Sequence, residues 1–134
     1  MIGGALVNLI FPLLIWPGIW ARLIGAVPVI IGVWLFTSAR GAFRRHRTAL
    51  MPWTPSAELV QDGPYRFSRN PIYLAFAAIY LGAALVFDSL YTLIMLLIVV
   101  VLFDRTQIPR EERYMEAKFG DQFVQYKAKV RRWI

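Results

Sequence analysis

The residues of this chain that could do chemistry gather in two short stretches. Asp62 to Leu74, DGPYRFSRNPIYL, sets Arg66, Arg69 and Asn70 among the rings of Tyr65, Phe67 and Tyr73 at the threshold of a long apolar run, and Arg110 to Arg113, REER, brings Glu111 and Glu112 to the end of the next one. Charged and amide side chains beside a hydrocarbon boundary cost free energy unless paired, hydrated or engaged with a ligand, so each cluster marks a candidate site. The opposing reading takes Arg66 and Arg69 as topology markers snorkelling toward lipid phosphates. Arg69-Asn70-Pro71 puts a proline at the expected first turn of a helix, which leaves the preceding amides facing outward at the positive end of its dipole. An arginine or such amides suit a carboxylate. A glutamate suits an ammonium or a sugar diol, and Tyr65 and Tyr73 offer faces for a flat base, so the parts match a zwitterionic ligand. Glu111 and Glu112 stand about 100° apart on a helix, which predicts that at most one of them faces inward.

The elements that must position these residues are membrane spans. The 134 residues have the length of one domain, 1–134, but 58% of them are hydrophobic and the mean hydropathy is +0.52, well above a soluble average of roughly 45–50% apolar. Apolar stretches run over 2–16, 23–39, 71–87 and 89–103. Between Pro71 and Phe103 only Asp88 is charged, and one helix of that length would run about 50 Å against a hydrocarbon core of roughly 30 Å, so the chain must turn back near Asp88-Ser89. Of the 15 Lys and Arg, 14 cluster where spans end on one side, and Arg22 stands alone on the other. The positive-inside rule makes that side cytoplasmic and puts both termini there. The N-terminus lacks the basic region of a signal peptide and reads as a retained span. The expected fold is therefore all-α, a polytopic membrane protein with four transmembrane helices. Residues 109–134 form a C-terminal cytoplasmic amphipathic helical segment, with a break at Gly120-Asp121 and a stripe of Phe119, Phe123, Tyr126, Val130 and Trp133 lying on the membrane or against the ends of the spans. The proline-rich 48–70 segment is expected as an ordered loop or short turns.

Composition narrows the chemistry. There are no cysteines and one histidine, His46, so disulfides, thiolate sites and cysteine nucleophiles are absent and no metal site is expected. The net charge of +7 gathers at span ends rather than over a folded face, which argues against nucleic acid as a partner.

LVQDGPYRFSRNPIYL, followed after one hydrophobic hairpin by REERYMEAKFGDQFVQYKAKVRRWI, resembles the isoprenylcysteine carboxyl methyltransferase and phospholipid methyltransferase superfamily of integral membrane enzymes. Its ordered features are a Gly-x-Tyr segment, an Arg-His-Pro or Arg-Asn-Pro turn with a nearby Tyr, a helical hairpin, a Glu-Glu pair, then Phe-Gly and a Tyr-containing basic tail. Here Arg69, Asn70, Pro71 and Tyr73 fill the turn, Glu111 and Glu112 the pair, and Phe119, Gly120 and Tyr126 the tail, over roughly Leu59 to Arg132. The resemblance implies S-adenosyl-L-methionine as cofactor in a pocket closed by the C-terminal segment, and a lipophilic acceptor, prenylated or lipid, entering from the bilayer. Leu59, Val60, Tyr65 and the Arg69–Tyr73 turn would line the cofactor, and Glu111 or Glu112 would hold its polar end. The chain departs from the prenylcysteine enzymes in carrying Asn70 in place of His and only two spans ahead of the site.

Methyl transfer to a carboxylate needs no general base, whereas an amine acceptor must first lose a proton. No clean base stands out among the candidates, which favours an acceptor that is already deprotonated, with Arg105 and Arg110 as anchors for an anionic acceptor group. Two other classes stay open, the first suggested by a related membrane architecture. One is an NADPH-dependent membrane reductase, with Arg44, Arg45 and Arg47 for phosphate but no glycine-rich loop; the other is a small non-catalytic membrane module.

Overall fold

The structure, a computed structural model, describes residues 19–46 and 58–134. The expected first span, 2–16, and the 47–57 part of the proline-rich loop lie outside the described residues. Within them the chain is helical and contains no strand. Helix α1 spans Ile19–Arg45, α2 Pro71–Val86, α3 Leu90–Leu102, α4 Ile108–Phe119 and α5 Asp121–Lys129, with a 3₁₀ turn at Gly63–Arg66 and a π-helical turn at Phe103–Gln107.

Helices α1 and α2 pack antiparallel along a seam of small residues. A Cβ on Gly25 would sit 2.8 Å from the Leu85 Cβ, and one on Gly32 would sit 2.7 Å from the Ala75 carbonyl oxygen. The early part of α1 therefore meets the end of α2, and its middle meets the start. Lipid gives helices no hydrophobic reason to associate, so close backbone approach through glycine and alanine is the available source of cohesion. The outward faces are apolar and open: Ile30 and Trp34 on α1 and Leu97 on α3 are all more than 60% exposed, as suits surfaces meant for lipid.

The return from α2 to α3 falls where the charge pattern placed it. Asp88 takes a left-handed conformation with φ 49°, and Ser89 caps α3 by accepting from the Thr92 amide at 3.3 Å. From Leu90 to Phe119 the helix then continues without a break, about 45 Å long. Pro109 cannot donate to that ladder and its ring crowds the preceding turn, and the widened π-helical turn lies immediately before it. Two described helices, Arg22–Arg45 and Leu90–Phe119, are long and apolar enough to cross a membrane, and α2 is a shorter apolar helix of 16 residues.

Gly120, at φ 51°, ends α4 and turns the chain into α5. The expected amphipathic stripe then docks on the protein. Phe123 and Tyr126 are buried against Leu59, with Met115, Phe119 and Val130 around them. Segment 58–66 is thus a wedge, since Val60 and Tyr65 on its other side pack against Ala39 and Ala42 of α1. The far end of α1 is pinned to the same wedge by Arg45, 2.7 Å from Asp62, and by His46, whose ring nitrogens lie 2.8 Å from Glu58 and 3.0 Å from Asp62.

Candidate functional site

Where α1, the wedge, the start of α2 and the α3–α4 rod converge, they enclose a cavity of about 600 Å³, within the range of roughly 300–1,000 Å³ usual for small-molecule sites. Leu59, Val60, Tyr65, Arg69, Asn70, Pro71, Tyr73, Glu111 and Glu112 all line it. Arg105 and Arg110 do not: both are exposed, Arg105 with a side chain 80% open and only a 3.9 Å contact to Asp104. Gln107, Glu111 and Met115 recur every four residues on the cavity face of the rod, and Arg105 and Arg110 fall outside that register.

Pro71 opens α2, Asn70 before it leaves helical geometry at φ −128° and ψ 53°, and the C-terminal tail 130–134 lies alongside. The Arg69 amide donates to the Arg131 carbonyl at 3.0 Å, while the Asn70 Nδ2 and Ser68 Oγ donate to the Arg132 carbonyl at 3.1 and 3.3 Å. Asn70 therefore does a structural job at this position, clamping the tail with an amide that does not titrate.

Both glutamates border the cavity, contrary to the expectation that at most one faces inward. They diverge by the 100° of one residue, but the cavity wraps around the helix far enough to reach both. Their partners differ. Glu111 Oε1 accepts from the Tyr73 hydroxyl at 2.7 Å and from Gln107 Nε2 at 2.8 Å, both neutral donors. Glu112 Oε1 lies 2.9 Å from Arg69 Nη1, and its two oxygens accept from Arg132 Nε at 3.2 Å and Nη2 at 2.7 Å. Arg132 in turn meets Asp104 Oδ1 at 3.2 Å, and Trp133 Nε1 donates to the same oxygen at 2.9 Å.

Arg69 itself is 89% buried, since its side chain is 11% exposed. Its Nη1 is close to Glu112 but off hydrogen-bonding geometry, and among the described residues neither Nη1 nor Nε has a hydrogen-bond partner. A buried guanidinium with unspent donors bordering a cavity is a costly arrangement for a protein to hold empty, and it is complementary to a carboxylate. Glu111, with no cation among its hydrogen-bond partners, complements a positive group. The rest of the wall is apolar and aromatic, with Tyr73 and Phe103 rings 5.2 Å apart and Phe36 and Phe76 at 5.5 Å. Burial pushes the Tyr65 and Tyr126 phenols well above their usual range, and Tyr126 donates to the Tyr65 carbonyl at 2.8 Å. Both remain protonated at neutral pH and neither is a ready base.

Several lining residues lay beyond the motifs. Phe36, Arg40 and Phe43 recur at steps of four and three on α1, a helical face whose signal was present in the sequence. Arg132 and Asp104, which stand behind the lining rather than in it, carried no such signal, since their meeting depends on how the tail folds back.

The cavity thus joins a carboxylate-matched group, a cation-matched group and apolar walls next to helices long and apolar enough to cross a membrane. The chain belongs to the phospholipid methyltransferase family, whose model matches residues 20–122. It is 38% identical over 63 residues to an uncharacterized protein of Haemophilus influenzae, covering 47% of this chain and 100% of that one. It is 33% identical over 72 residues to the protein-S-isoprenylcysteine O-methyltransferase of Schizosaccharomyces pombe, and 33% over 73 residues to protein-S-isoprenylcysteine O-methyltransferase B of Arabidopsis thaliana. Each of those matches covers 54% of this chain but only 30% and 37% of the longer relatives. No solved structure matches at comparable significance.

Proposed function

We propose that this chain binds S-adenosyl-L-methionine in the cavity and directs methyl transfer to a lipophilic acceptor at the cytoplasmic face of the membrane. The observation that carries the reading is Arg69, buried and short of hydrogen-bond partners, in the same cavity lining as the neutrally partnered Glu111. The two suit the carboxylate and ammonium of an amino-acid end, while Leu59, Val60, Tyr65 and Tyr73 suit a nucleoside. Family membership supports the same donor, and the names of the two isoprenylcysteine relatives support an oxygen acceptor.

When bound, the cofactor supplies an electrophilic methyl group on a sulfonium. The chain's own contribution is to bind, orient and exclude water, effects worth together about 7–11 kcal/mol when alignment is good. Asn70 and Ser68 keep the tail over the Arg69 turn, closing that side against solvent. Phe36, Phe43 and Phe76 form an apolar end to the cavity, suited to a hydrocarbon chain next to the reacting group. With Tyr65 and Tyr126 held protonated, an acceptor that arrives deprotonated, such as a carboxylate, fits better than an amine. Arg40 borders the cavity, so an anionic acceptor group would meet it in place of Arg105 or Arg110.

The test is isothermal titration of S-adenosylhomocysteine into detergent-purified protein, with NADPH titrated in parallel. Saturable binding of the first, abolished by Arg69→Ala, is expected. Folded protein that binds neither ligand overturns the reading, and binding of NADPH alone replaces it with a reductase.

A further inference from the structure

Glu112 sits between two arginines, and the division is unequal. Arg69 reaches it through one nitrogen at 2.9 Å without hydrogen-bonding geometry, whereas Arg132 grips both carboxylate oxygens, at 3.2 and 2.7 Å. The Glu112 side chain is only 12% exposed, so its charge is poorly screened and acts on both arginines, but among the described residues its hydrogen bonds go to Arg132 alone. Arg132 is itself fixed from behind by Asp104 at 3.2 Å, and its backbone carbonyl is held by Asn70 at 3.1 Å. Nothing in the arrangement requires Arg132 to touch a ligand, and it is absent from the cavity lining.

We propose that Arg132 is a positioning residue for the anion-binding part of the cavity: its two-point pair with Glu112 holds that carboxylate off hydrogen-bonding geometry with Arg69, so that the Arg69 donors stay available to a ligand carboxylate. This rests on the cofactor reading above. Without Arg132, Glu112 has one cation left within reach and turns onto Arg69. The site then loses its preference for an anionic group while its nucleoside walls are unchanged. The Arg–carboxylate fork explains why an arginine serves here, since a lysine ammonium cannot occupy both oxygens in the same planar way.

The experiment compares two ligands, S-adenosylhomocysteine and 5′-methylthioadenosine, which share the nucleoside and thioether but differ in the amino-acid end. In Arg132→Gln the affinity for S-adenosylhomocysteine is expected to fall by about tenfold or more, the size of one charge-assisted contact, with methylthioadenosine unaffected. Adding Glu112→Gln to Arg132→Gln removes the competing charge and is expected to restore the ratio of the two affinities. Arg132→Lys should lose part of that ratio. Equal losses for both ligands would assign Arg132 a merely structural role and overturn the proposal, as would a double variant that fails to recover. Should Arg132→Gln not fold, Arg132→Lys and the charge-balanced double variant carry the same test, and an unchanged ratio in the lysine variant sinks it. Wild-type protein that binds neither nucleoside removes the cofactor reading itself, whereas wild-type binding of both with the losses above absent removes only the role of Arg132.

Discussion

Adjacent glutamates of the same type do different work because their neighbours differ. Glu111 accepts from Tyr73 and Gln107, which stabilise its charge without cancelling it, whereas Glu112 lies between Arg69 and Arg132. A ligand ammonium therefore gains most from Glu111. Glu111→Gln is expected to lower S-adenosylhomocysteine affinity by at least about tenfold, corresponding to the roughly 1.5–3 kcal/mol of a hydrogen bond to a charged group. Glu112→Gln is expected to change it by no more than about threefold, since Glu112 spends its hydrogen bonds on Arg132 and the Arg69 donors are already open. Titration of both variants under one set of conditions checks this, and equal losses would show that the partners do not decide the roles. The Glu-Glu pair was legible as a motif in the sequence. Which glutamate is free was not, because the deciding partner, Arg132, stands 20 residues away and arrives only through the tail.

Two elements are joined by contacts whose strength can be read from the geometry. On the α1–α2 seam, a Cβ at Gly82 would lie 2.5 Å from the Gly25 carbonyl oxygen and 2.9 Å from the Val29 amide nitrogen, backbone atoms that cannot step aside. Gly82→Ala should destabilise the protein by about 1–3 kcal/mol, as overpacking does. Gly41→Ala on the same α1 helix is the control: among the described residues its Cβ would meet only Arg45 Nη1 at 3.6 Å, so the gain of roughly 0.5–1 kcal/mol for alanine over glycine in a helix should appear. Thermal unfolding in a single detergent separates the two, and a neutral Gly82→Ala would refute the close seam. Small residues at Gly82, Ala83 and Ala84 announced such a contact in the sequence, but only the fold shows that Gly82 meets α1 of the same chain.

The other joint, between the end of α1 and the wedge, depends on pH. The hydrogen bond to Glu58 raises the His46 pKa above 6.5, and the bond from Arg45 lowers that of Asp62 below 3.8. The histidine contribution is complete below 6.5 and is lost as pH rises through its raised value. That of Asp62 is complete above 3.8 and is lost as pH falls through its lowered value, so the joint is tightest between those limits. His46 is the one histidine of the chain, so its ring resonances in a micelle titration report directly, with a midpoint above 6.5 expected and one at or below it contradicting the clamp.

The molecule as a whole must keep its two polar segments on one side. The positive-inside rule predicts that this side is cytoplasmic, and the packing calls for a shared side independently, because the Arg69 amide bonds to the Arg131 carbonyl and Tyr126 to the Tyr65 carbonyl. The turn at Asp88 is separated from Arg69 by the 16 residues of α2, about 24 Å along the axis, which would bring it near the opposite boundary of a hydrocarbon core of roughly 30 Å if α2 crosses. Since the chain has no cysteine, one introduced thiol reports its own position without background. Arg66→Cys and Lys118→Cys are expected to react with a membrane-impermeant maleimide only when the cytoplasmic face is opened, and Asp88→Cys only from the outside. Removing Arg66 or Lys118 singly leaves most of the basic residues in place, so neither substitution should itself invert the protein. Labelling of Arg66→Cys and Asp88→Cys from the same side would break the hairpin, because a helix whose two ends share a face does not cross; a cavity bounded by Arg69 at one end of α2 and by Phe76 along it would then no longer run from the interface into the membrane, and a lipophilic acceptor would have no route along α2 to the site.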